Sequence, residues 1–209
     1  DRIGGTSMHI ILASNSPRRR ELLENIGLSH FDVVAPDISE SPDGSLAPAQ
    51  LVSSLSARKA AAVAARVAPD RLIIAADTVV VLEDTVLGKP GGGAEAACML
   101  AALSGRRHEV YTGVTVRQGG IILTEHEVTA VDFRVLAADE IQDYIATGEP
   151  MDKAGAYGIQ GYGSLLVEGI TGDYFNVMGL PVNRLRAMLA LFGVNCLKLA
   201  SVSMKEKAF

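Results

Sequence analysis

Residues 71–84, RLIIAADTVVVLED, form an apolar run rich in β-branched residues, broken only by Asp77 and Thr78. The run reads as a strand, and a carboxylate inside it must leave water. That step is costly unless the carboxylate is paired, hydrogen-bonded or coordinated to a metal. Any fold this chain adopts must therefore supply Asp77 with a partner. Lys59 interrupts the apolar face of a helical stretch, and Lys89 stands in the turn LGKPG just after the strand. Either lysine alone is ordinarily a snorkelling side chain, and an Asp in this setting can also cap a neighbouring turn. Together with Asp77 the two lysines suggest a site.

The surrounding pattern places that strand in an α/β chain. After Met8, HIILAS reads as a short strand followed at once by a helix from Ser16 to Ile26, in which Ser16 is a good N-cap and Pro17 suits the first helical position. FDVVAPDISES is a second extended segment, and residues 48–67 have helical spacing with Val52, Leu55, Ala62, Val63 and Val67 on one side. A helix over 94–103 ends at Gly105, two long strands flank the turn RQGGI, a short amphipathic helix covers 139–147, and Pro181 opens a last helix to about Phe192. The mixture of parallel-like and hairpin strands predicts one α/β unit with two lobes flanking a cleft. Residues 1–7, DRIGGTS, read as a remnant preceding a native start at Met8, so the expected domain is 8–209, with a weakly patterned, loosely held tail after Gly193.

Composition narrows the partners. With 48% hydrophobic residues in 209, the chain can bury a core, but its net charge of −5 opposes a broad attraction to nucleic acid or an anionic membrane. Any anion site must be local. Two cysteines without metal-site spacing, and the lack of an uninterrupted apolar run of about 18–20 residues, lead us to expect a cytoplasmic protein with no membrane span. The four histidines show no metal-ligand spacing.

A local anion site is what the stretch LASNSPRRREL offers. A helix start is the positive pole, so Arg18, Arg19 and Arg20 in a first turn should each cost about 0.3–1 kcal/mol. Scattered arginines usually form a solvated face. Here the free backbone N–H groups of a helix start, the guanidinium forks and the Ser14-Asn15-Ser16 polar groups would all favour a phosphate chain, and three arginines suit a triphosphate. A third segment, GEPMDKAGAYGIQGYGS at 148–164, sets Asp152, Lys153 and Gln160 among glycines that let backbone approach a ligand closely. Lys153 is a phosphate-binding type and Gln160 can read a base edge through paired donor and acceptor groups. The loop matches neither a Walker pattern nor GxGxxG. Glu40 is an ordinary surface Glu by default.

Taken in order, LASNSPRRREL, SARKA, AADTVV, GKP, LSGRRHEVYTGV and GEPMDKAGAYGIQG resemble the Maf family of nucleoside triphosphate pyrophosphatases over nearly all of residues 8–192. The resemblance implies an inosine-triphosphatase-like α/β fold with a mixed sheet and two lobes around a substrate cleft. It further implies hydrolysis of a nucleoside triphosphate to monophosphate and pyrophosphate, a divalent cation such as Mg²⁺ or Mn²⁺, and a homodimer. By position, Asp77 matches the family's proton acceptor, and Arg18, Thr78 and Gln160 match positions linked to substrate choice. Ser14, Arg19, Glu40, Lys59, Lys89, Asp152 and Lys153 match other polar cleft positions, with Asp77 and Glu40 as the candidate metal ligands. SPRR with DKAGAYGIQ resembles the subgroup acting on dTTP and UTP. The 7-methyl-GTP subgroup carries a tryptophan where Arg18 stands, and this chain has no tryptophan. Gly88 is a departure, since many relatives have Glu before the Lys-Pro. The rival expectations are a pyrophosphatase for another nucleotide and a non-catalytic regulator of septum formation.

Overall fold

A computed structural model describes residues 8–39 and 45–206. Strand β1 (Ile10–Ala13) leads into helix α1 (Pro17–Asn25), then β2 (Phe31–Val33), α2 (Pro48–Ala64), β3 (Leu72–Leu82) and β4 (Thr85–Leu87). Helix α3 (Gly93–Leu103), the long strands β5 (Arg107–Gln118) and β6 (Ile121–Phe133), and α4 (Ala138–Ala146) follow. Three short 3₁₀ turns between Glu149 and Leu165 carry the glycine-rich loop to β7 (Val167–Thr171), α5 (Tyr174–Met178), α6 (Val182–Leu191) and α7 (Cys196–Glu206). The helix expected over 48–67 stops at Ala64, and the segment after Gly172 is helical. Beyond Gly193, Val194 and Cys196 are buried in the core. No helix among the described residues is long and apolar enough to cross a membrane.

The sheet runs β2-β1-β3-β5-β6-β7, with β4 also paired to β3. Pairing is parallel across β2, β1 and β3 and antiparallel from β3 through β5 and β6 to β7. Gly119 and Gly120 form the two-residue turn between β5 and β6, with Gly119 at φ +56°. Strand β3 is the seam. On one side it pairs with β5 from Leu72 to Val81; on the other, β1 is its partner as far as Ala75 and β4 takes over at Val80. Asp77 and Thr78 occupy the interval where this edge has no strand partner. In open α/β sheets, ligand crevices form where strands part at such a switch of order.

The period-2 alternation of β3 then sorts its neighbours. On one face Ile73 and Ala75, with Ile11 and Ala13, pack against Ala60 and Val63 of α2, while Val79 and Val81 pack against Leu51, Val52 and Leu55 of the same helix. On the other face Leu72, Ile74 and Ala76 join α1 and α6 in one core, and Val80 and Leu82 join α3 and α4 in a second. Thr78 lies on that face between the two cores. The cleft between lobes is the consequence of these separate hydrophobic clusters sharing one strand. Its opposite wall is closed by α2, which approaches so near that a Cβ at Gly113 would fall 2.2 Å from the Val52 carbonyl oxygen. Gly113 pairs with Asp77 in register.

Candidate active site

Between the lobes lies a cavity of about 690 Å³, bordered by Ser14, Arg18, Arg19, Lys59, Asp77, Thr78, Lys89, Asp152, Lys153 and Gln160. These residues come from α1, α2, β3 and the loops after β1, β4 and α4, so the site is assembled by tertiary structure from segments far apart in the chain. Glu40 lies outside the described residues. Among the residues on this wall, five cations face two carboxylates, a positive surplus inside a protein of net charge −5. Low-dielectric walls lined by one sign of charge concentrate the opposite charge, here a polyanion.

The deepest element is an ion pair: Lys59 Nζ donates to Asp77 Oδ1 at 2.6 Å, and both residues are buried. Lys59 is thus the partner that the strand required, and Lys89 is exposed at the cavity's edge. The Asp77 Oδ2 oxygen makes no hydrogen bond among the described residues.

Helix α1 uses its arginines unequally. Ser16 caps the helix by accepting from the Arg19 backbone N–H at 3.5 Å. Arg19 is buried, its Nε donating to the Gly179 carbonyl at 2.8 Å, Nη1 to Ser14 Oγ at 3.2 Å and Nη2 to Thr78 Oγ1 at 3.0 Å. It ties α1, β3 and the end of α5 together beneath the cavity. Arg18 reaches across the cleft, Nη1 donating to Asp152 Oδ2 at 3.2 Å. Arg20 is exposed and no part of the wall, so two arginines rather than three border the cavity. Successive helical residues point about 100° apart, which explains the division.

The glycine-rich loop is braced from within. Lys153 Nζ donates to Asp152 Oδ1 at 2.7 Å and to the Glu149 carbonyl at 2.6 Å. Partial burial pushes the Asp152 carboxyl up, but Lys153 and Arg18 outweigh it and hold the group below the ordinary carboxylate range. Glu149 accepts from Tyr144 Oη and from the backbone N–H groups of Tyr162 and Gly163, each at 2.9 Å. A Cβ at Gly155, φ +67°, would strike Val80, and Ala156 beside it also adopts a left-handed backbone at φ +58°. Gln160 is half-buried at the cavity wall within this braced loop.

Sequence reasoning missed several supports. Glu149 is visible in GEPMDK as a carboxylate beside a run of glycines needing acceptors. Asn176, fully buried, donates through Nδ2 to the Val110 carbonyl and to Thr129 Oγ1, both at 3.0 Å. Its signal was an amide inside the apolar stretch YFNVM. Gly113 and the Gly179 carbonyl left no signal, because each acts through backbone alone.

Among the described residues no three His, Cys, Asp or Glu side chains gather as a ready metal cage. A Mg²⁺-type ion does not need one, since it binds through one or two carboxylates together with substrate phosphates and keeps several waters. A buried carboxylate with one oxygen unbonded, facing a cationic cavity, fits that donor set.

The family described as Maf-like protein matches residues 9–192. A dTTP/UTP pyrophosphatase of Moorella thermoacetica is 56% identical over 188 residues, covering 89% of this chain and 96% of the relative. Relatives of the same name from Symbiobacterium thermophilum and Bacillus cereus are 50% and 46% identical, covering 88% and 92% of this chain and 94% of each relative. A solved nucleoside-triphosphatase / dITP/XTP pyrophosphatase of Mycobacterium abscessus is 15% identical at a TM-score of 0.45, covering 90% of this chain and all of the other, a likeness too weak to bear on function. With the family match spanning nearly all of its described length, this chain belongs to the Maf-like protein family.

Proposed function

We propose that this protein hydrolyses dTTP and UTP to the nucleoside monophosphate and pyrophosphate. The observation that carries the reading is the buried Lys59–Asp77 pair facing a cavity whose wall also carries Arg18, Arg19, Lys89 and Lys153 against the single carboxylate of Asp152. The dTTP/UTP pyrophosphatases, about half identical to this chain, support it.

Cleavage between the α and β phosphates requires a water aligned on the α-phosphorus, a group to take its proton, and neutralisation of the departing pyrophosphate. Asp77 takes the proton. Lys59 holds the carboxylate in one orientation. Arg18, Lys89 and Lys153 hold the phosphate chain, with Arg18 exchanging its contact with Asp152 for a phosphate oxygen. Arg19, committed to Gly179, Ser14 and Thr78, orients the start of α1, whose positive end would favour the same anion. Asp77 and the substrate phosphates would hold a Mg²⁺ or Mn²⁺ ion, which when bound neutralises phosphate charge and lowers the pKa of a coordinated water. Glu40 is the second ligand proposed from sequence.

Gln160 and Thr78 select the base. A polar site rejects a wrong partner by leaving its own groups unpaired. The homodimer and cytoplasmic setting implied by the resemblance belong to this proposal, and sedimentation velocity of the purified chain tests the former.

The test is pyrophosphate release from dTTP, UTP, CTP, 7-methyl-GTP and ITP, with Mg²⁺, Mn²⁺ or EDTA. Cation-dependent release centred on dTTP and UTP is expected. Silence across the panel would overturn the reading, as would an unchanged preference for dTTP over dCTP in Thr78→Val for the base assignment.

A further inference from the structure

Beneath the cavity, proton bookkeeping decides the direction of every hydrogen bond around Thr78. Thr78 on β3 and Thr112 on β5 are cross-strand partners, their hydroxyl oxygens 3.0 Å apart. Thr112 is fully buried and is not part of the cavity wall. Its Oγ1 donates to the Asn176 backbone carbonyl at 3.0 Å. A hydroxyl has one proton and a carbonyl only accepts, so this bond uses the only proton of Thr112. Toward Thr78, Thr112 can then only accept, and the proton of Thr78 points at Thr112. Arg19 Nη2, which can only donate, occupies one lone pair of Thr78 Oγ1 at 3.0 Å. What Thr78 offers the cavity is one lone pair on an oxygen with no proton left to give.

We propose that Thr78 is a fixed acceptor for the imide N–H of a pyrimidine, and that Thr112, which never touches substrate, sets its polarity. The inference rests on the dTTP/UTP reading and supplies the basis of its selectivity. Uracil and thymine present a donor, N3–H, between two carbonyls. Cytosine presents a bare N3 acceptor there, which would meet Thr78 lone pair to lone pair. The Gln160 amide carries both donors and an acceptor, so by turning over it suits either edge and does not discriminate alone. A hydroxyl locked by a buried chain turns over only by setting the Thr112 lone pairs against the Asn176 carbonyl oxygen 3.0 Å away. The substrate class is therefore any pyrimidine triphosphate that keeps its imide N–H.

Binding tests this separately from catalysis. Calorimetry on the full chain would use the α,β-methylene analogues of UTP, CTP and N3-methyl-UTP, which cannot be cleaved between the α and β phosphates. The UTP analogue should bind at least about tenfold tighter than either of the others, the worth of one matched hydrogen bond against one unmatched. Thr112→Val frees the Thr78 proton, so the CTP analogue should gain affinity while the UTP analogue loses little, and Thr112→Ser should restore the original ratio. A merely structural role for Thr112 would weaken both ligands alike, and that result would overturn the proposal. Equal binding of all three analogues to the unaltered protein would overturn it too, and needs no variant to fold. Selective binding without hydrolysis of any triphosphate would uphold this inference and sink the enzymatic reading; hydrolysis with equal affinities would do the reverse.

Discussion

Lys59 Nζ and Asp77 Oδ1 lie 2.6 Å apart, joining helix α2 to the central strand β3 through two almost fully buried side chains. Such a pair is not an economical way to hold a helix on a sheet. Desolvating two charges offsets much of their attraction, and apolar residues of similar volume often stabilise as well or better. Its place beside the cavity is what the proton-accepting role proposed for Asp77 requires.

Removing one partner separates the two roles. Lys59→Met leaves the Asp77 carboxylate uncompensated and should cost about 3–5 kcal/mol in urea unfolding. Adding Asp77→Leu should recover most of that loss without recovering turnover. A double variant as unstable as Lys59→Met would show that the pair is structural.

Replacing Asp77 by Asn keeps the shape and a hydrogen-bonding oxygen but removes the base. Turnover on dTTP should fall by roughly 10²–10⁴ with KM little changed. Near-normal turnover would remove Asp77 from the proton-accepting role.

Gly113 keeps α2 close. An alanine Cβ there meets the Val52 carbonyl, backbone that cannot rotate away, so the helix must retreat. Gly113→Ala should destabilise by about 1–3 kcal/mol, the usual cost of overpacking, and lower kcat as Lys59 and Asp77 part. Stability loss with unaltered kcat would mean that the ion pair tolerates the shift.

His108 makes stability depend on pH. It is buried in the second lobe, its Nε2 2.7 Å from Tyr157 Oη and its ring edge-on to Phe133. Burial pushes its pKa down to about 4 from an ordinary 6.5. Above pH 6.5 the ring is neutral in both folded and unfolded chains and contributes no pH dependence. Between 6.5 and 4 the unfolded chain binds the proton first, so stability falls as pH falls, by up to about 3 kcal/mol. Unfolding free energies at pH 7.5 and 4.5 should differ less in His108→Gln than in the unaltered protein; an equal difference would assign the acid sensitivity to carboxylates alone.

Much of the site was legible because its residues break local rules. A carboxylate in a β-branched run, a lysine in an apolar helix stripe and arginines at a helix's positive end each carry a penalty that only a partner or ligand removes. The glycines around Gln160 announced a close backbone approach. What stayed hidden acts through backbone or across strands: Gly113 by lacking a side chain, the Gly179 carbonyl by receiving Arg19, and Thr112 by facing Thr78.

By itself the sequence marked most of the elements, through periodicity and turn residues, and it determined that Asp77 needed a partner. Tertiary structure decided which partner and which arginines. Lys59 rather than Lys89 pairs with Asp77 because residue 77 falls on the α2 face of β3, and Arg18, Arg19 and Arg20 take different roles because helical rotation turns them toward the cleft, the core and solvent. The cleft itself arises because β3 passes from one hydrophobic core to another and is unpaired along one edge between them, a relation among distant segments that no local pattern encodes.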